Sequence, residues 1–380
     1  MLARVEVGQR YHRIILDFSA IKVGGGVQRV LTFLECFERR LWSEADIYVI
    51  RPPTGVLAGR EFPYAKATLT APSGWVARAW FEYVVVRKFL SKHRIDCIFT
   101  FFGAGLPRPS RTRNVVGVAY PIVCYDESPY WKYLSAQEWW RQKLKNWLRL
   151  KRLQSATVIV AETEVMADRL AKVLRIRRDR VAVIAPTPTS SVIEVRRQPE
   201  RPFVFLFLSG LAGHKNLWRL YDVLLALRGL SADGFRFLVS TDKDQFVSRL
   251  VSTHKVDMSL IDAYFEFVGE VPPETVVQLY MRADCLVNLS DLESFSNNYM
   301  EAWKAAIPQI ASARDFARHI LGQSALYAEP HRPDDVARAM MQVMHDAELR
   351  SRLVGHGRAR LALLPTQEEA ADALWRVIRG

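Results

Sequence analysis

The feature that most constrains the fold is an alternation of short apolar runs with longer helical segments, which starts twice along the chain. Runs rich in β-branched or aromatic residues, each followed by a helical period, are typical of a parallel sheet wound with helices. The strand candidates are 13–18, 95–101, 115–120, 157–161 and 181–185, then 203–209, 235–240, 264–269, 284–290 and 309–312. The sequence therefore predicts an α/β fold of two Rossmann-like, doubly wound domains.

The stretch between the two series predicts a linker. Residues 185–202, APTPTSSVIEVRRQPERP, contain four prolines and no clear period. We expect an N-terminal domain over 1–190 and a C-terminal domain over 200–364, facing each other across a cleft. Because open α/β sheets bind ligands at the carboxyl ends of their strands, functional residues are expected in the loops after strands.

The charge is distributed unevenly between the two halves. Residues 1–200 carry 33 Lys+Arg and 18 Asp+Glu, a net +15, whereas residues 201–380 carry 20 and 22, a net −2. This asymmetry indicates a phosphate-rich partner for the first half: a membrane surface, a nucleic acid or a diphosphate-bearing substrate. A solvated basic surface is the alternative. Nucleic acid is disfavoured because no recognised binding module is present.

Cysteine usage and hydropathy indicate a cytoplasmic protein. The four cysteines are far apart and include no C-x-x-C pair, which fits a reducing compartment. The N-terminal residues lack an apolar core of signal-peptide length, and no uncharged apolar run approaches the roughly 18 residues of a membrane span.

Two glycine-containing loops are candidate phosphate sites. Gly24-Gly25-Gly26 follows the first strand candidate, where glycines allow close approach and a helix N-terminus favours anions. The loop SGLAGHKN, 209–216, occupies the matching place in the second series and adds a cation, Lys215. The alternatives are a tight strand-to-helix turn for the first loop and a solvated lysine for the second.

A third candidate is ESFSNNYME, 293–301, after the strand candidate 284–290. Glu293 lies in the loop before a helix and Glu301 inside that helix, so the two carboxylates can contact different parts of one ligand. Ser296, Asn297 and Asn298 can cap the helix and offer backbone N–H groups to a phosphate. A buried salt bridge is the alternative for either glutamate alone.

These motifs together resemble family 4 glycosyltransferases, the retaining family with the GT-B fold, of bacterial polysaccharide or lipopolysaccharide type. Glu293 to Glu301, followed by Ala306-Ile-Pro308, is similar to the family's E-x7-E donor motif. FEFVGEVPPETVVQLYMRADCLVNLS, 265–290, resembles the run that leads into it. SGLAGHKN and GGGVQRV resemble the family's phosphate loop and N-terminal glycine loop. Residues 365–380 look like the terminal helix that crosses back to the N-terminal domain in this fold.

The resemblance implies a role for each matching residue. Lys215 and Glu293 would be catalytic, with Lys215 neutralising the donor diphosphate and Glu293 facing the transferred sugar. Glu301 would bind the ribose hydroxyls. The remaining residues implied to bind substrate are Gly25, Gly26, Tyr120, Gly210, Asn216, Phe295, Ser296 and Asn297. The implied reaction is sugar transfer, with retention, from a nucleotide donor to a glycan, which we expect to be lipid-linked, and it needs no cofactor or metal.

The chain departs from the family pattern in three places. No arginine precedes Lys215 closely, so Arg219 or an N-domain arginine would have to substitute. No histidine lies in 115–131, where Tyr120 or Asp126 would replace it. The third motif reads E-S-F-S instead of E-G-F-G.

Two further segments bear on metal and membrane. Asp242-Lys-Asp244 has the spacing of a metal–nucleotide motif, but its place after a middle strand favours a capping or surface role. KYLSAQEWWRQKLKNWLRLKRLQ, 132–154, has helical periodicity, three tryptophans and seven lysines or arginines. It predicts peripheral binding to an anionic membrane, on the inner face of the cell membrane. An ordinary domain helix with core tryptophans is the alternative.

Other functions compatible with the fold remain open at this point. The missing arginine and histidine also fit a catalytically silent glycan-binding or scaffold protein. A nucleotide-sugar epimerase or phosphorylase would share the fold.

Overall fold

The computed structural model describes residues 12–21, 25–40, 42–107, 111–188, 194, 202–252, 254–272 and 275–380. The chain forms two compact units. Unit 1 comprises Met1–Asp126, Ser135–Thr187 and Pro365–Gly380, and unit 2 comprises Glu127–Leu134 and Pro188–Leu364. Residues 127–134 therefore lie in unit 2, although the sequence division put them in the first domain. Most of the predicted linker falls outside the described residues.

Unit 1 is built on a seven-stranded parallel sheet of order β3-β2-β1-β4-β5-β6-β7. Its strands are β1 Arg13–Asp17, β2 Asp46–Arg51, β3 Ala65–Thr70, β4 Cys97–Thr100, β5 Arg113–Gly117, β6 Val158–Ala161 and β7 Val181–Val183. The central strands are buried on both faces, which explains their nearly continuous apolar sequences.

Unit 2 is built on a six-stranded parallel sheet of order β10-β9-β8-β11-β12-β13. Its strands are β8 Phe203–Phe207, β9 Phe235–Val239, β10 Phe265–Phe267, β11 Cys285–Asn288, β12 Gln309–Ser312 and β13 Leu326–Ala328. Both sheets reverse their strand order in the middle, so the prediction of two doubly wound α/β domains is confirmed.

Helices follow most of the strands in each unit. In unit 1 they are α1 Gly25–Arg40, α2 Trp75–Trp80, α3 Arg87–His93, α4 Ala136–Gln154, α5 Glu164–Leu174 and, from the C-terminal segment, α14 Gln367–Arg379. A π-helical turn, Phe81–Val86, joins α2 to α3. In unit 2 they are α6 Leu220–Gly229, α7 Lys243–Val251, α8 Met258–Tyr264, α9 Val276–Arg282, α10 Asn297–Lys304, α11 Asp315–Leu321, α12 Pro333–His345 and α13 Ala347–Ala362.

Helix α14 completes the core of unit 1. Its side chains Ala371, Trp375 and Ile378 are buried in one cluster with residues of α1, β1 and β4. The Trp375 ring packs edge-on against Phe37, with centroids 5.1 Å apart, and its indole N–H donates to Glu44 at 3.1 Å. The last described helix of the chain thus stabilises the domain in which the chain begins.

Candidate functional site

The loops of interest in unit 2 leave the sheet where its strand order reverses. Strands β8 and β11 are neighbours, and the chain leaves their carboxyl ends in opposite directions. Such a switch point opens a crevice that binds ligands in doubly wound proteins. The loop after β8 carries residues 208–216, and the loop after β11 leads into α10.

Lys215 and Glu293 meet at this crevice as an ion pair. Lys215 ends a single 3-10 turn, Gly213–Lys215, while Glu293 lies in the loop after β11. Both side chains are partly buried, with 25% and 12% of their surface exposed. Glu293 of the E-x7-E motif and Lys215 of the glycine-containing loop therefore lie in direct contact.

Asn216 holds the two loops together. It is fully buried and adopts a left-handed backbone conformation with φ 58°. Its side-chain amide donates to the carbonyl of Leu289 at 2.9 Å and to Asp291 Oδ2 at 2.7 Å. The backbone N–H of Asp291 donates in turn to the carbonyl of His214 at 2.7 Å. Asn216 is thus placed to fix the position of the neighbouring Lys215.

Glu301 is partly buried on α10 beside Tyr280 of α9. The Tyr280 hydroxyl donates to Glu301 Oε2 at 3.1 Å. Burial raises the pKa of Glu301, against the lowering effects of Tyr280 and Lys304. Helix α10 is tied to the first loop by Asn298, whose amide donates to the carbonyl of Leu208 at 2.6 Å.

The start of α10 differs in one detail from the sequence prediction. Ser296 occupies the N-cap position, but its side chain makes no capping hydrogen bond. Its hydroxyl instead accepts from the Asn288 amide at 3.2 Å. Because the Ser296 hydroxyl is engaged by Asn288, it does not cap the helix. Phe295 precedes this position, and Asn297 begins the helix.

A buried charged network behind Asn216 was missed by the sequence analysis. Asp291 is fully buried and accepts from Arg314 at 2.7 Å and from His331 Nε2 at 2.8 Å. Burial alone would raise its pKa, but hydrogen bonds from His331, Asn216 and Arg314 lower it. Arg314 also pairs with Glu329 at 2.7 Å. These residues lie on three loops that are separated in the sequence, so no local sequence motif indicates them.

Residues 127–134 form one side of this network. The Tyr133 ring stacks on His331 at 5.7 Å between centroids, and its hydroxyl lies 2.6 Å from His331 Nδ1. Tyr130 covers Gly213, where an added Cβ would lie 3.4 Å from its ring. Burial and the neighbouring Lys215 lower the pKa of His214 to about 4, so His214 is neutral at neutral pH. Lys215 is then the cation of this loop.

Arg219, one proposed substitute for the missing arginine, is engaged elsewhere. Its guanidinium donates to the Tyr133 hydroxyl at 2.6 Å and to Asn216 Oδ1 at 3.3 Å. It therefore supports the loop through Asn216. Gly210, in the same loop, has no atom within 4 Å of the position that a Cβ would occupy, so the space beside it is open.

In unit 1, Gly24 lies outside the described residues, and Gly25 begins α1. A Cβ on Gly26 would lie 3.4 Å from the Phe102 ring. Tyr120 donates its hydroxyl to the carbonyl of Gly103 at 2.9 Å, and Arg149 lies 4.6 Å from its ring centroid. Asp126 pairs with Lys143 at 2.7 Å. The substrate roles of Gly25, Gly26 and Tyr120 stay predictions.

The D-x-D sequence has the capping role that was predicted for it. Asp242 accepts from the backbone N–H groups of Asp244 and Gln245, at 2.9 and 3.1 Å, at the start of α7. Lys243 pairs with Asp262 at 2.5 Å. Among the described residues, no cluster of three or more His, Cys, Asp or Glu side chains could hold a metal ion.

Comparison with known families agrees with this geometry. The family described as "Glycosyltransferase Family 4" matches residues 23–187, and "Glycosyl transferases group 1" matches residues 191–360. The two matches together account for most of the chain and divide it close to the boundary between its sheets. The chain is therefore a glycosyltransferase of the GT4 type, with the GT-B fold.

Solved structures share this fold over nearly the whole chain. A sucrose-phosphate synthase from Thermosynechococcus elongatus is 16% identical with a TM-score of 0.71, covering 97% of this chain and 98% of its own. WaaG, a glycosyltransferase involved in lipopolysaccharide biosynthesis, is 15% identical with a TM-score of 0.72, covering 97% and 100%. Anabaena HepE, in complex with UDP and glucose, is 12% identical with a TM-score of 0.67, covering 97% and 99%.

No curated protein sequence matches the chain. Within the described part of the chain, no helix is both long and apolar enough to span a bilayer.

Proposed function

We propose that the protein transfers a sugar from a nucleoside-diphosphate donor to a glycan acceptor, with retention of anomeric configuration. The observation that carries this proposal is the Lys215–Glu293 pair at the switch point of unit 2. A cation and a carboxylate that lie together at one crevice can contact different parts of a donor: phosphate for Lys215 and sugar hydroxyls for Glu293. HepE structures in complex with UDP and UDP-glucose support a nucleotide-sugar donor.

The site residues account for the chemistry as follows. Cleavage of the donor leaves a nucleoside diphosphate, so charge develops on its phosphate oxygens. Lys215 and the start of α10, where Ser296 does not cap, stabilise that charge. Glu301, as a carboxylate, accepts hydrogen bonds from the ribose hydroxyls. Protein groups supply this stabilisation, and we propose that neither a cofactor nor a metal is needed.

The acceptor side is proposed to be unit 1, on a membrane. The acceptor is a lipid-linked precursor of polysaccharide or lipopolysaccharide, and the protein binds peripherally to the cytoplasmic face. Three observations support this: the net charge of +15 over residues 1–200, the basic helix α4, and the exposure of Trp140 and Trp147 on that helix. Basic helices with exposed tryptophans suit anionic interfaces.

Release of nucleoside diphosphate tests the proposed activity. The protein is incubated with a panel of nucleotide sugars, with and without glycan acceptors, and the released nucleoside diphosphate is measured. We expect Lys215→Ala to lower kcat by about 10²–10³-fold, the usual cost of removing one group that stabilises developing charge. Glu293→Ala is expected to abolish transfer while leaving the fold intact.

The matched control is Lys243→Ala, which removes another, more exposed lysine–carboxylate pair of unit 2. It should retain wild-type activity. Full activity in Lys215→Ala or Glu293→Ala would refute the site assignment. Nucleotide binding without turnover over the whole panel would favour the silent glycan-binding alternative.

A further inference from the structure

Five polar side chains of unit 2 form a closed cycle of hydrogen bonds beside Lys215. They come from four separate segments of unit 2, and they are Tyr133, Asn216, Arg219, Asp291 and His331. We call this set the hydrogen-bond cycle. The proposed donor chemistry gives Tyr133 and His331 no task, although the cycle joins both to the residue that follows Lys215.

The direction of each bond in the cycle follows from the chemistry of its members. Arg219 can only donate, and the ionised carboxylate of Asp291 can only accept. Arg219 donates from Nη2 to the Tyr133 hydroxyl at 2.6 Å and from Nε to Asn216 Oδ1 at 3.3 Å. Asp291 Oδ2 accepts from the Asn216 amide at 2.7 Å and lies 2.8 Å from His331 Nε2. Two branches therefore run from one donor, Arg219, to one acceptor, Asp291.

The cycle holds His331 in one tautomer. The Tyr133 hydroxyl lies 2.6 Å from His331 Nδ1, and in the described part of the chain its other hydrogen-bond partner is Arg219. Because Arg219 only donates, the hydroxyl hydrogen is directed at Nδ1, which then carries no proton. The imidazole proton is on Nε2 and is donated to Asp291. Tyr133 therefore sets the tautomer in which His331 binds the buried carboxylate.

The segment that carries Tyr133 also contacts both loops of the crevice. The Ser128 hydroxyl donates to the backbone carbonyl of Asp291 at 3.2 Å and accepts from the backbone N–H of Tyr130 at 3.3 Å. The Tyr130 ring packs edge-on against His214, with centroids 5.7 Å apart. Residues 127–134 thus support the loop after β8 and the loop after β11 at the same time.

The cycle acts on Lys215 through the next residue of the chain. Asn216 has a φ of 58°, a left-handed conformation that few residues other than glycine adopt. Its side-chain amide takes part in three hydrogen bonds, two of them within the cycle. A buried polar network in which every member has its partners is rigid. A cation that stabilises developing charge has to be in place before the reaction occurs.

We propose that Tyr133 and His331 are positioning residues of sugar transfer, which act through Asp291 and Asn216 to hold Lys215 where charge develops on the leaving diphosphate. This inference rests on the proposed function, because the role of Lys215 is assigned there. Neither Tyr133 nor His331 has to touch donor or acceptor for this role. Their loss should therefore lower kcat more than it weakens donor binding.

Tyr133→Phe is the sharpest test on the full chain, because it removes the hydroxyl and keeps the aromatic ring that stacks on His331. We expect kcat for nucleoside-diphosphate release to fall about 10- to 100-fold, the range that a displacement of up to about 1 Å of a catalytic group can cost. The donor KM should change by about twofold or less, since uniform binding is retained. His331→Leu should lower kcat similarly, and His331→Gln, whose amide can still donate to Asp291, should restore part of it.

The matched controls are Tyr264→Phe and His254→Leu. They remove another tyrosine hydroxyl that accepts from an arginine, at 2.9 Å, and another histidine–carboxylate contact of unit 2, at 2.7 Å. Both variants should retain the wild-type kcat. Losses of kcat in these controls as large as those in Tyr133→Phe and His331→Leu would overturn the proposal, because any comparable polar contact would then have the same effect.

The tautomer of His331 can be measured directly. In nitrogen NMR spectra of the histidine side chains at neutral pH, its signals are assigned by their absence from the spectrum of His331→Gln. We expect a proton on Nε2 and an accepting Nδ1 in wild type. Tyr133→Phe should shift the Nδ1 signal, because that nitrogen loses its hydrogen bond. A proton on Nδ1 in wild type would overturn the proposal.

This inference and the proposed function fail in different ways. Wild-type protein that turns over no donor of the panel refutes the proposed function, and this inference with it. Normal kcat in Tyr133→Phe and His331→Leu, together with low kcat in Lys215→Ala, refutes this inference alone. A rise in donor KM that accounts for the whole loss of kcat/KM also refutes it, because the cycle would then serve donor binding and not the placement of Lys215.

Discussion

The environment of Glu301 sets the pH range over which its side chain is ionised. Glu301 is partly buried on α10, and this burial raises the pKa of its carboxyl group. The Tyr280 hydroxyl opposes that rise by donating to the carboxylate. The ionised form, which we propose accepts hydrogen bonds from the ribose hydroxyls of the donor, is therefore lost at a higher pH than for an exposed glutamate.

This environment predicts the pH dependence of nucleotide binding. As pH falls through the raised pKa of Glu301, affinity should decline, beginning above the ordinary glutamate value of about 4.3. Tyr280→Phe removes a donor to the ionised form, so the decline should shift to higher pH. Glu301→Gln should bind UDP more weakly near neutral pH, and its affinity should lack the pH dependence that titration of Glu301 causes. Calorimetric Kd values for UDP across pH measure these differences.

Since the phosphate of UDP titrates in every case, the informative quantity is the ratio of variant to wild-type Kd at each pH. Tyr264→Phe is the control, because the Tyr264 hydroxyl contacts Arg228, away from α10. Parallel profiles for wild type and Tyr280→Phe would contradict the assigned coupling.

Sequence reasoning proposed some residues of the candidate site and missed others that lie beside them, for a physical reason. Lys215, Glu293 and Glu301 stand in or just after loops that follow strands, so topology alone brings them to one edge of a sheet. Asp291, His331 and Tyr133 meet through contacts between segments far apart in the chain. A buried carboxylate held by such partners leaves no periodicity or motif in the sequence.

At the scale of elements, the prediction was most complete where strands are fully buried. All ten predicted strands exist, but β2, β3 and β13 were missed. Strand β2 is an exception to the trend, because it lies inside the sheet with four buried residues. Strand β3, AKATLT, lies at a sheet edge and alternates between half-buried and exposed residues, while β13 has only three residues. Both patterns are weak signals beside the continuous apolar runs of central strands.

Helix α4 begins with a complete capping box, and this predicts a stability effect. Ser135 accepts from the Glu138 backbone N–H, and the Glu138 carboxylate accepts from the Ser135 backbone N–H at 3.0 Å. Ser135→Ala should lower the free energy of unfolding of unit 1 by about 1 kcal/mol. Urea denaturation followed by circular dichroism measures the loss.

The control for the cap is Ser91→Ala, in the interior of α3. The Ser91 hydroxyl only bonds back to the carbonyl of Arg87 at 3.2 Å. Alanine is the better helix former there, so this substitution should be neutral or slightly stabilising. A loss at Ser91 as large as that at Ser135 would show that the cap is not the cause.

At the scale of the whole molecule, each unit is assembled from separated parts of the chain. Trp375 contributes strongly to the stability of unit 1. Its side chain is only 3% exposed and packs against residues from the first part of the chain. Trp375→Ala should destabilise unit 1 by about 3–5 kcal/mol, the usual cost of emptying a buried tryptophan site. Thermal and urea unfolding followed by circular dichroism measure this change.

Trp75→Ala is the matched control, because Trp75 belongs to the same unit and is 85% exposed. It should leave the transition nearly unchanged. A loss in Trp75→Ala as large as that in Trp375→Ala would contradict the assigned packing role of Trp375.

The placement of α14 and of residues 127–134 also determines when each unit is able to fold during synthesis. The core of unit 1 lacks Trp375 and Ile378 until the segment 365–380 has emerged from the ribosome. Tyr133 of unit 2 is synthesised early, but unit 2 cannot fold until the strands of its own sheet have been synthesised. The nascent chain therefore carries an open apolar surface on unit 1 while unit 2 is being synthesised, and this surface is prone to aggregation until α14 has emerged.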